Sequence, residues 1–350
     1  MEKKFMTGNE AIAEAAVQAG CRYFFGYPIT PQSELPEHLA KRLPEVGGCF
    51  LQAESEIAAI YMVFGAAGAG ARVMTSSSSP GISLKQEGIS YITGAELPCV
   101  VVNIMRGGPG LGGIQPSQSD YFQATKGGGH GDYHMIVIAP STVQEAADLT
   151  MEAFDLADKY RNPVMILGDG YLGQMMEPVE FRTRKPEPHP KRDWTLTGAK
   201  GRPRRIIKTL YLNPEILEQR NQVLNRKYQE IKKNEVRVET YQTEDAEIII
   251  AAYGTVARIA KTAIKILREK GVKTGLVRPI TLFPFPYQTF SGISDKKKIL
   301  VVEMSLGQMV EDVKLGVCGK ANVHFYGRSG GMVPSYDEIV AEVEKIVKAA

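Results

Sequence analysis

Cysteine is scarce in this sequence. Its 350 residues hold four, Cys21, Cys49, Cys99 and Cys318, and no two form a C-x-x-C pair. That spacing excludes an iron–sulfur cluster or a zinc ion ligated within the chain. Three of the four sit in or beside apolar strand-like runs and read as small core residues, a usage that fits a reducing cytoplasm. Long apolar runs are also missing: none reaches ~18 residues, so no segment reads as a membrane span. The first ten residues, Met1-Glu2-Lys3-Lys4-Phe5-Met6-Thr7-Gly8-Asn9-Glu10, lead into an Ala-rich helix and lack a signal-peptide core. These absences together make a cytoplasmic protein the expectation. Charge imbalance is slight, and a net charge of +3 is too small to imply nucleic acid. No internal repeat is evident.

What is present is ordinary in bulk and uneven in placement. The length suits roughly two domains at ~150 residues each, and 43% hydrophobic with 23% charged residues is usual for a soluble globular chain. The 35 glycines are clustered, which points to loops that approach ligands closely. Through about residue 180, short apolar runs alternate with helical stretches. The strands expected are Tyr23–Phe25, Cys49–Leu51, Arg72–Met74, Cys99–Ile104, Met135–Ile138 and Val164–Leu167; helices are expected over Glu10–Ala19 and Val143–Lys159. This alternation predicts an α/β fold, a parallel sheet covered on both faces. Residues 182–244 differ. They are rich in Lys, Arg and Pro, begin Arg182-Thr183-Arg184-Lys185-Pro186-Glu187-Pro188, and turn into a polar helix over Pro214–Glu230. We read them as a linker and an arm lying over a surface. The basic run is a solvated face or a contact for a phosphate-bearing ligand or partner chain. A second α/β unit follows over 245–350, with strands Glu247–Tyr253 and Lys298–Val302, a helix over Val256–Lys270 and a closing amphipathic helix over Tyr336–Lys348.

Four loops follow four successive strands. They are Gly26-Tyr27-Pro28-Ile29-Thr30-Pro31, Gln52-Ala53-Glu54-Ser55-Glu56, Thr75-Ser76-Ser77-Ser78-Ser79-Pro80-Gly81 and Arg106-Gly107-Gly108-Pro109-Gly110. In a parallel sheet all four emerge at the carboxyl edge, where open α/β proteins bind ligands. Pro28 and Pro31 stiffen the first loop around the Thr30 hydroxyl. The serine-rich loop can open a helix whose free N–H groups face a pocket, or it serves only as a helix cap. Arg106 offers a planar fork matched to a carboxylate, and a buried guanidinium needs an acidic partner or a ligand. Glu56 opens Glu56-Ile57-Ala58-Ala59-Ile60-Tyr61-Met62-Val63-Phe64-Gly65-Ala66-Ala67, a helix too apolar for a surface. A carboxyl at its mouth points into a dry pocket, where burial disfavours the charged form; the plainer alternative is an acid facing the helix dipole. Glu54, two positions earlier, turns by about 200° and cannot share that face. Thiamine diphosphate activation is one chemistry that needs such a carboxyl beside a ring nitrogen, so Glu56 is the candidate for chemistry.

In order along the chain, Gly26-Tyr27-Pro28-Ile29-Thr30-Pro31, Glu54-Ser55-Glu56-Ile57-Ala58 and Ser79-Pro80-Gly81 resemble signatures of the 2-oxoacid:ferredoxin oxidoreductases. The likeness is to the alpha-type subunit with the pyrimidine-binding thiamine diphosphate domain. Met105-Arg106-Gly107-Gly108-Pro109-Gly110-Leu111-Gly112 and Gly127-Gly128-Gly129-His130-Gly131-Asp132 are most similar to the branched-chain branch, whose VorB-type subunits serve 2-oxoisovalerate. Arg278-Pro279-Ile280-Thr281-Leu282-Phe283-Pro284-Phe285-Pro286 and Glu303-Met304-Ser305-Leu306-Gly307-Gln308 resemble its transketolase-C-terminal-like domain, with Ser305 standing where Asn is the family residue. The resemblance implies a pyrimidine-binding domain over 1–181, the basic arm over 182–244 and the transketolase-C-terminal-like domain over 245–350. It implies that Glu56 meets the pyrimidine ring, that Thr30 and Arg106 hold the substrate carboxylate, and that Tyr27, Pro28, Ser78 and Ser79 line the cofactor pocket. It implies CoA-dependent oxidative decarboxylation of a branched-chain 2-oxoacid, with electrons passed to ferredoxin. Gly168-Asp169-Gly170 invites a diphosphate and magnesium reading, yet the next asparagine, Asn213, lies far down the arm. We therefore read that triplet as a turn ending a strand. The diphosphate, the magnesium and the iron–sulfur clusters are then expected on partner chains: a beta-type thiamine diphosphate subunit, a gamma subunit and a ferredoxin-like delta subunit. No metal is assigned to this chain.

Three alternatives compete. Gly108-Pro109-Gly110-Leu111-Gly112-Gly113 matches a dinucleotide fingerprint, but Pro116 and a polar stretch stand where its helix should begin, and Asp132 follows a glycine run instead of a second strand. A non-catalytic scaffold would not need Glu56, Thr30 and Arg106 together. A 2-oxoglutarate enzyme would need a further cation for the distal carboxylate, and the loop over 107–113 looks more apolar than that.

Overall fold

A computed structural model describes residues 3–181, 192–294 and 296–348. The opening of the basic arm, Arg182 to Pro188, lies outside the described residues. The first part of the chain runs β1 (Lys4–Thr7), α1 (Gly8–Gln18), β2 (Tyr23–Gly26), α2 (Glu34–Glu45), β3 (Cys49–Gln52), α3 (Glu56–Gly68), β4 (Val73–Ser77) and α4 (Pro80–Gly94). It continues through β5 (Cys99–Met105), α5 (Tyr121–Thr125), β6 (Ile136–Ile138), α6 (Val143–Tyr160), β7 (Pro163–Asp169), α7 (Gly170–Gln174) and β8 (Met176–Val179). After the arm come α8 (Pro214–Asn234), β9 (Val238–Tyr241), β10 (Ile248–Ala251), α9 (Gly254–Glu269), β11 (Thr274–Pro279) and β12 (Thr281–Phe283). The chain closes with α10 (Tyr287–Ser291), β13 (Lys298–Glu303), α11 (Met309–Val317), β14 (Asn322–Gly327) and α12 (Tyr336–Lys348).

The main sheet has seven strands in the order β12-β6-β7-β5-β4-β2-β3. All neighbours in it are parallel except β12, which runs antiparallel to β6. Helices cover both faces, so β5 and β7 are buried along their whole length and read as unbroken apolar runs. The chain steps from β2 outward to β3, then returns to place β4 on the other side of β2. This reversal is the switch point at which α/β sheets bind ligands beyond their carboxyl ends. A second sheet, β14-β13-β10-β11-β9, is parallel apart from its edge strand β9. The α/β architecture with parallel sheets is therefore as the sequence predicts.

Local chemistry sets the element ends. Thr7 and Glu10 form a reciprocal capping box at α1. Asp169 is buried and its carboxylate accepts from the Tyr171 and Leu172 amides at 2.9 and 3.1 Å, which starts α7 where β7 ends. The described part of the arm lies against the first unit through ion pairs: Arg192 with Asp158 at 2.6 Å, Arg220 with Glu96 at 2.6 Å and Lys227 with Glu96 at 2.9 Å.

Arg278 of β11 ties the second sheet to α6 of the first unit. Its guanidinium is 2% exposed and pairs with Glu145 of α6 at 2.5 Å and Glu239 of β9 at 2.7 Å. It also donates to the Ser141 hydroxyl at 2.5 Å. Replacing Arg278 with Met would leave Glu145 without its cation and Glu239 with Lys261 alone. We expect Arg278→Met to lower the unfolding free energy of the chain by about 3–5 kcal/mol, read as a drop in the urea midpoint. A loss below about 1 kcal/mol would mean that this clamp is not structural.

Candidate functional site

Glu56 is the first residue of α3. Ser55 caps the helix, its hydroxyl accepting from the Ala58 amide at 3.1 Å. The Glu56 side chain is 7% exposed and lies on the side of Ala59, Ile60 and Val63, whereas Glu54 is exposed. Gly81, at the start of α4, closes over it: a side-chain carbon there would come within 2.6 Å of Glu56 Oε1 and 2.0 Å of Ser77 Oγ. Only glycine lets β4 and α4 pack this close to the carboxylate. The expectation that so apolar a helix is fully buried holds for one face only. Ile57 and Tyr61 are 47% and 37% exposed, so the outer face of α3 is bare in the single chain.

The turn from β4 into α4 is tight. Ser79 takes a φ of 24° and makes no capping bond, a backbone state that its surroundings must hold in place. Its hydroxyl donates to Asp120 Oδ2 at 2.6 Å and accepts from the Arg106 amide at 3.0 Å. The Ser79 amide donates to Asn103 Oδ1 at 3.1 Å. Ser77 Oγ and Ser78 Oγ are buried and find no hydrogen-bond partner among the described residues. Buried hydroxyls are normally satisfied, so these two present open hydrogen-bonding capacity, and Ser77 does so against the same Gly81 backbone as Glu56.

Arg106 follows β5 and is 7% exposed. Nη1 donates to the Thr30 carbonyl and Nη2 to the Leu111 carbonyl, each at 2.9 Å; Nε has no partner. No ion pair holds this guanidinium among the described residues. The Thr30 side chain is exposed and borders a hollow of about 540 Å³ with Pro31, Gln115, Gly170 and Tyr171. The structure thus brings Thr30, Arg106, Ser79, Ser78 and Glu56 into one continuous region at the switch point. It sets Tyr27 and Pro28 on a neighbouring hollow of about 250 Å³, walled by Ser33, Glu37, Phe50 and Gln52.

Two residues here were not singled out in the sequence. Asp120 is bonded to Ser79 and to the Asn103 amide nitrogen, 2.9 Å away, and burial pushes its carboxyl above the usual range. Lys85 on α4 is fully buried behind Glu56. Linear spacing does not mark Asp120, which sits on a short turn, whereas Lys85 shares the helical face of Ile82, Ile89 and Ile92. The second sheet reaches the same region. Gln118 donates to the Tyr253 carbonyl at 3.0 Å, and the Gln308 side chain to the Ser119 carbonyl at 2.7 Å. Ser305 bonds within its own turn, donating to Glu303 at 2.9 Å and accepting from the Gly307 amide at 3.0 Å. A cleft of about 540 Å³ separates the two units here, lined by Ser79, Gly107 to Gly110, Ser119, Ser305 and Gln308. No cluster of three His, Cys, Asp or Glu side chains suited to a metal occurs among the described residues, and none of their helices is long and apolar enough to cross a membrane.

Comparison with known proteins agrees with this geometry. Residues 14–253 match the family described as pyruvate flavodoxin/ferredoxin oxidoreductase, thiamine diphosphate-binding. Residues 246–339 match pyruvate:ferredoxin oxidoreductase core domain II. The chain is 50% identical over 347 residues to ketoisovalerate oxidoreductase subunit VorB of Methanothermobacter marburgensis, covering 99% of this chain and 98% of that one. It is 38% identical over 375 residues to 2-oxoglutarate synthase subunit KorA of Methanothermobacter thermautotrophicus, covering 99% of each. Among solved structures, it is similar to the 2-oxoglutarate:ferredoxin oxidoreductase of Magnetococcus marinus, which has 2-oxoglutarate, coenzyme A and succinyl-CoA bound. That likeness has a TM-score of 0.87 and 27% identity, and covers 98% of this chain and 65% of that one.

Proposed function

This chain belongs to the 2-oxoacid:ferredoxin oxidoreductases as an alpha-type subunit, and from that premise we propose that it carries half of the thiamine diphosphate site of a branched-chain 2-oxoacid oxidoreductase. The reaction is CoA-dependent oxidative decarboxylation of 2-oxoisovalerate to acyl-CoA and carbon dioxide, with electrons passed to ferredoxin. The observation that carries this reading is Glu56. It is a buried carboxylate beside the same Gly81 backbone as the unsatisfied Ser77 hydroxyl, on a helix whose outer face is apolar and bare. Such a face has a use when another chain closes it. The open donors of Ser77, Ser78 and Arg106 fit a ligand that supplies ring nitrogens and a carboxylate.

Thiamine diphosphate, when bound, supplies the carbon that attacks the 2-oxoacid and holds the electron pair left by carbon dioxide. The chain's own residues bind, orient and move a proton. Glu56 shares a proton with the pyrimidine ring. Ser78 and Ser79 shape the ring's seat, and Tyr27 and Pro28 close the edge toward β3. Arg106 and Thr30 hold the substrate carboxylate. The division into a pyrimidine-binding domain over 1–181, a basic arm over 182–244 and a transketolase-C-terminal-like domain over 245–350 belongs to the same proposal. So do the partners: a beta-type subunit holding the diphosphate and magnesium, and gamma and delta subunits holding the iron–sulfur clusters. Coenzyme A is the acyl acceptor of the proposed reaction.

Co-purification at native expression levels tests the reading. We expect a coloured complex with the partner subunits, and a colourless, inactive isolated chain. Ile57→Glu, which places a charge on the bare face of α3, should cut assembly and turnover by at least tenfold while leaving the isolated chain folded. An active monomer, or an Ile57→Glu complex assembled as well as wild type, would contradict the proposal. Relative kcat/KM for 2-oxoisovalerate and 2-oxoglutarate separates the main reading from its nearest relative in the family.

A further inference from the structure

Asp120 stands where a helix cap is expected and does not cap. It precedes α5, a usual place for aspartate, yet its side chain makes no bond to the first turn of that helix. Oδ2 instead accepts from two groups far along the chain, the Ser79 hydroxyl at 2.6 Å and the Asn103 side-chain amide at 2.9 Å. Asn103 Oδ1 in turn accepts from the Ser79 amide at 3.1 Å, which closes a ring of three residues. The Ser79 hydroxyl also accepts from the Arg106 amide at 3.0 Å. Ser79 holds a φ of 24° without a capping bond of its own, a state that lasts only where its surroundings impose it. Two residues further on is Gly81, which closes over Glu56.

The second unit fixes the segment that carries Asp120. Ser117 to Asp120 belong to no strand or helix. Gln118 is fully buried. Its side chain donates to the Tyr253 carbonyl and accepts from the Met304 amide, each at 3.0 Å. Its backbone amide donates to the Met304 carbonyl at 2.8 Å. Gln308 clasps the segment on both sides of Asp120, donating to the Ser119 carbonyl at 2.7 Å and accepting from the Phe122 amide at 2.8 Å. Tyr121 donates to Asp312 at 2.6 Å. The neighbours of Asp120 are thus bonded to the second unit, while its carboxylate points back to the turn after β4.

We propose that Asp120 is a positioning residue that carries the grip of the second unit to the serine turn, setting the conformation of Ser79 and with it the seat of Gly81 over Glu56. This inference rests on the role proposed above for that turn in the cofactor seat, and it gives the second unit a part in shaping that seat. Buried, directional hydrogen bonds in an unbroken series transmit such a constraint. The turn needs an acceptor at this point and not a charge, which separates positioning from proton transfer.

Two measurements test it. In the isolated full-length chain without cofactor, hydrogen exchange is followed at the Ser79 and Arg106 amides. We expect Asp120→Ala to speed exchange there about tenfold or more. Asp120→Asn should leave it within about threefold, because the asparagine oxygen still accepts. Gln308→Leu, which cuts both clasp bonds without touching the ring, should speed it as Asp120→Ala does. The amides of α6 should not change. Exchange unmoved by Asp120→Ala overturns the positioning, and exchange unmoved by Gln308→Leu overturns the link to the second unit. A rise that spreads to α6 in both variants means general loosening and overturns both.

In the assembled complex stripped of cofactor, thiamine diphosphate affinity is titrated by calorimetry. We expect Asp120→Ala to weaken it about tenfold and Asp120→Asn to stay within about threefold of wild type. Wild-type affinity in Asp120→Ala, or an Asp120→Asn complex as impaired as Asp120→Ala, would overturn the role. Failure here is distinct from failure of the proposed function. Normal turnover of a Glu56→Gln complex sinks that function and leaves the exchange result standing. Exchange unmoved by Asp120→Ala sinks this inference and leaves the role of Glu56.

Discussion

Glu56→Gln in the assembled complex is expected to lower kcat by about 10²–10⁴-fold, the range that a positioned proton-sharing group contributes. Gln matches Glu in size and can still hydrogen-bond, but it cannot exchange a proton. The cap of α3 comes from the Ser55 hydroxyl, not from Glu56, so the helix start survives the change. Gly81 and Ser77 already fit around a side chain of this length, so no cavity forms. KM for the 2-oxoacid should change by less than about threefold, because Glu56 faces the proposed ring seat and the proposed holder of the substrate carboxylate is Arg106. A fall in kcat and kcat/KM together is the signature of an interaction used in the transition state. The measurement is steady-state reduction of ferredoxin or a one-electron dye, with size-exclusion chromatography to show that the complex is intact. Asp120 is no obvious substitute, since its carboxyl is held by Ser79 and Asn103. Turnover within threefold of wild type would remove Glu56 from the chemistry.

The parts of the fold legible in the sequence are those with a strong local signal. Strands β2 to β7 are apolar runs between helices, and parallel burial makes such runs easy to read. Their shared direction places four loops on one edge before any coordinate is known. The separation of Glu54 from Glu56 has a different cause from the rotation expected: Glu54 precedes the extended cap Ser55 and lies outside α3, exposed, while Glu56 opens the helix and is buried. β11 and β14 were missed as well; the other strands that escaped are fixed from far away. β12 is three residues long and exists because Thr281–Phe283 lie along β6 of the first unit. β1 and β8 are four-residue partners at opposite ends of that unit, joined only by the fold. β9 is an antiparallel edge strand, and its burial is too mixed to give a period. Asp120 sits on a short turn and escaped for a related reason. Ile82, Ile89 and Ile92 mark the buried side of α4 at helical spacing, and Lys85 lies on it, so Lys85 was within reach of the pattern and was passed over as a charged residue. The basic reading of the arm was half of the matter: several of its cations pair with acids of the first unit instead of remaining in solvent.

Arg106→Met is expected to lower kcat/KM for the 2-oxoacid by about 10²–10⁴-fold, mostly through KM, because it removes two charge-assisted hydrogen bonds to the proposed substrate carboxylate worth about 1.5–3 kcal/mol each. Arg106→Lys should recover little of this, since a point charge cannot span the Thr30 and Leu111 carbonyls and still present a fork. The comparison with Arg278 gives the prediction its edge. Both guanidinia are nearly as buried as a core side chain. Arg278 is held by Glu145 and Glu239, and Glu239 also meets Lys261, so its removal strands the Glu145 carboxylate and the fold suffers. Arg106 is held by neutral carbonyls and keeps an unused Nε, so its removal strands no charge. We therefore expect Arg106→Met to leave the urea midpoint of the isolated chain unchanged or slightly higher, while Arg278→Met lowers it. A guanidinium kept out of water without an anion is disfavoured until a carboxylate arrives, which is the physical form of a site prepared for an acidic substrate. If Arg106→Met unfolded the chain as Arg278→Met does, its charge would belong to the architecture, and the substrate carboxylate would have to be held by the partner subunit.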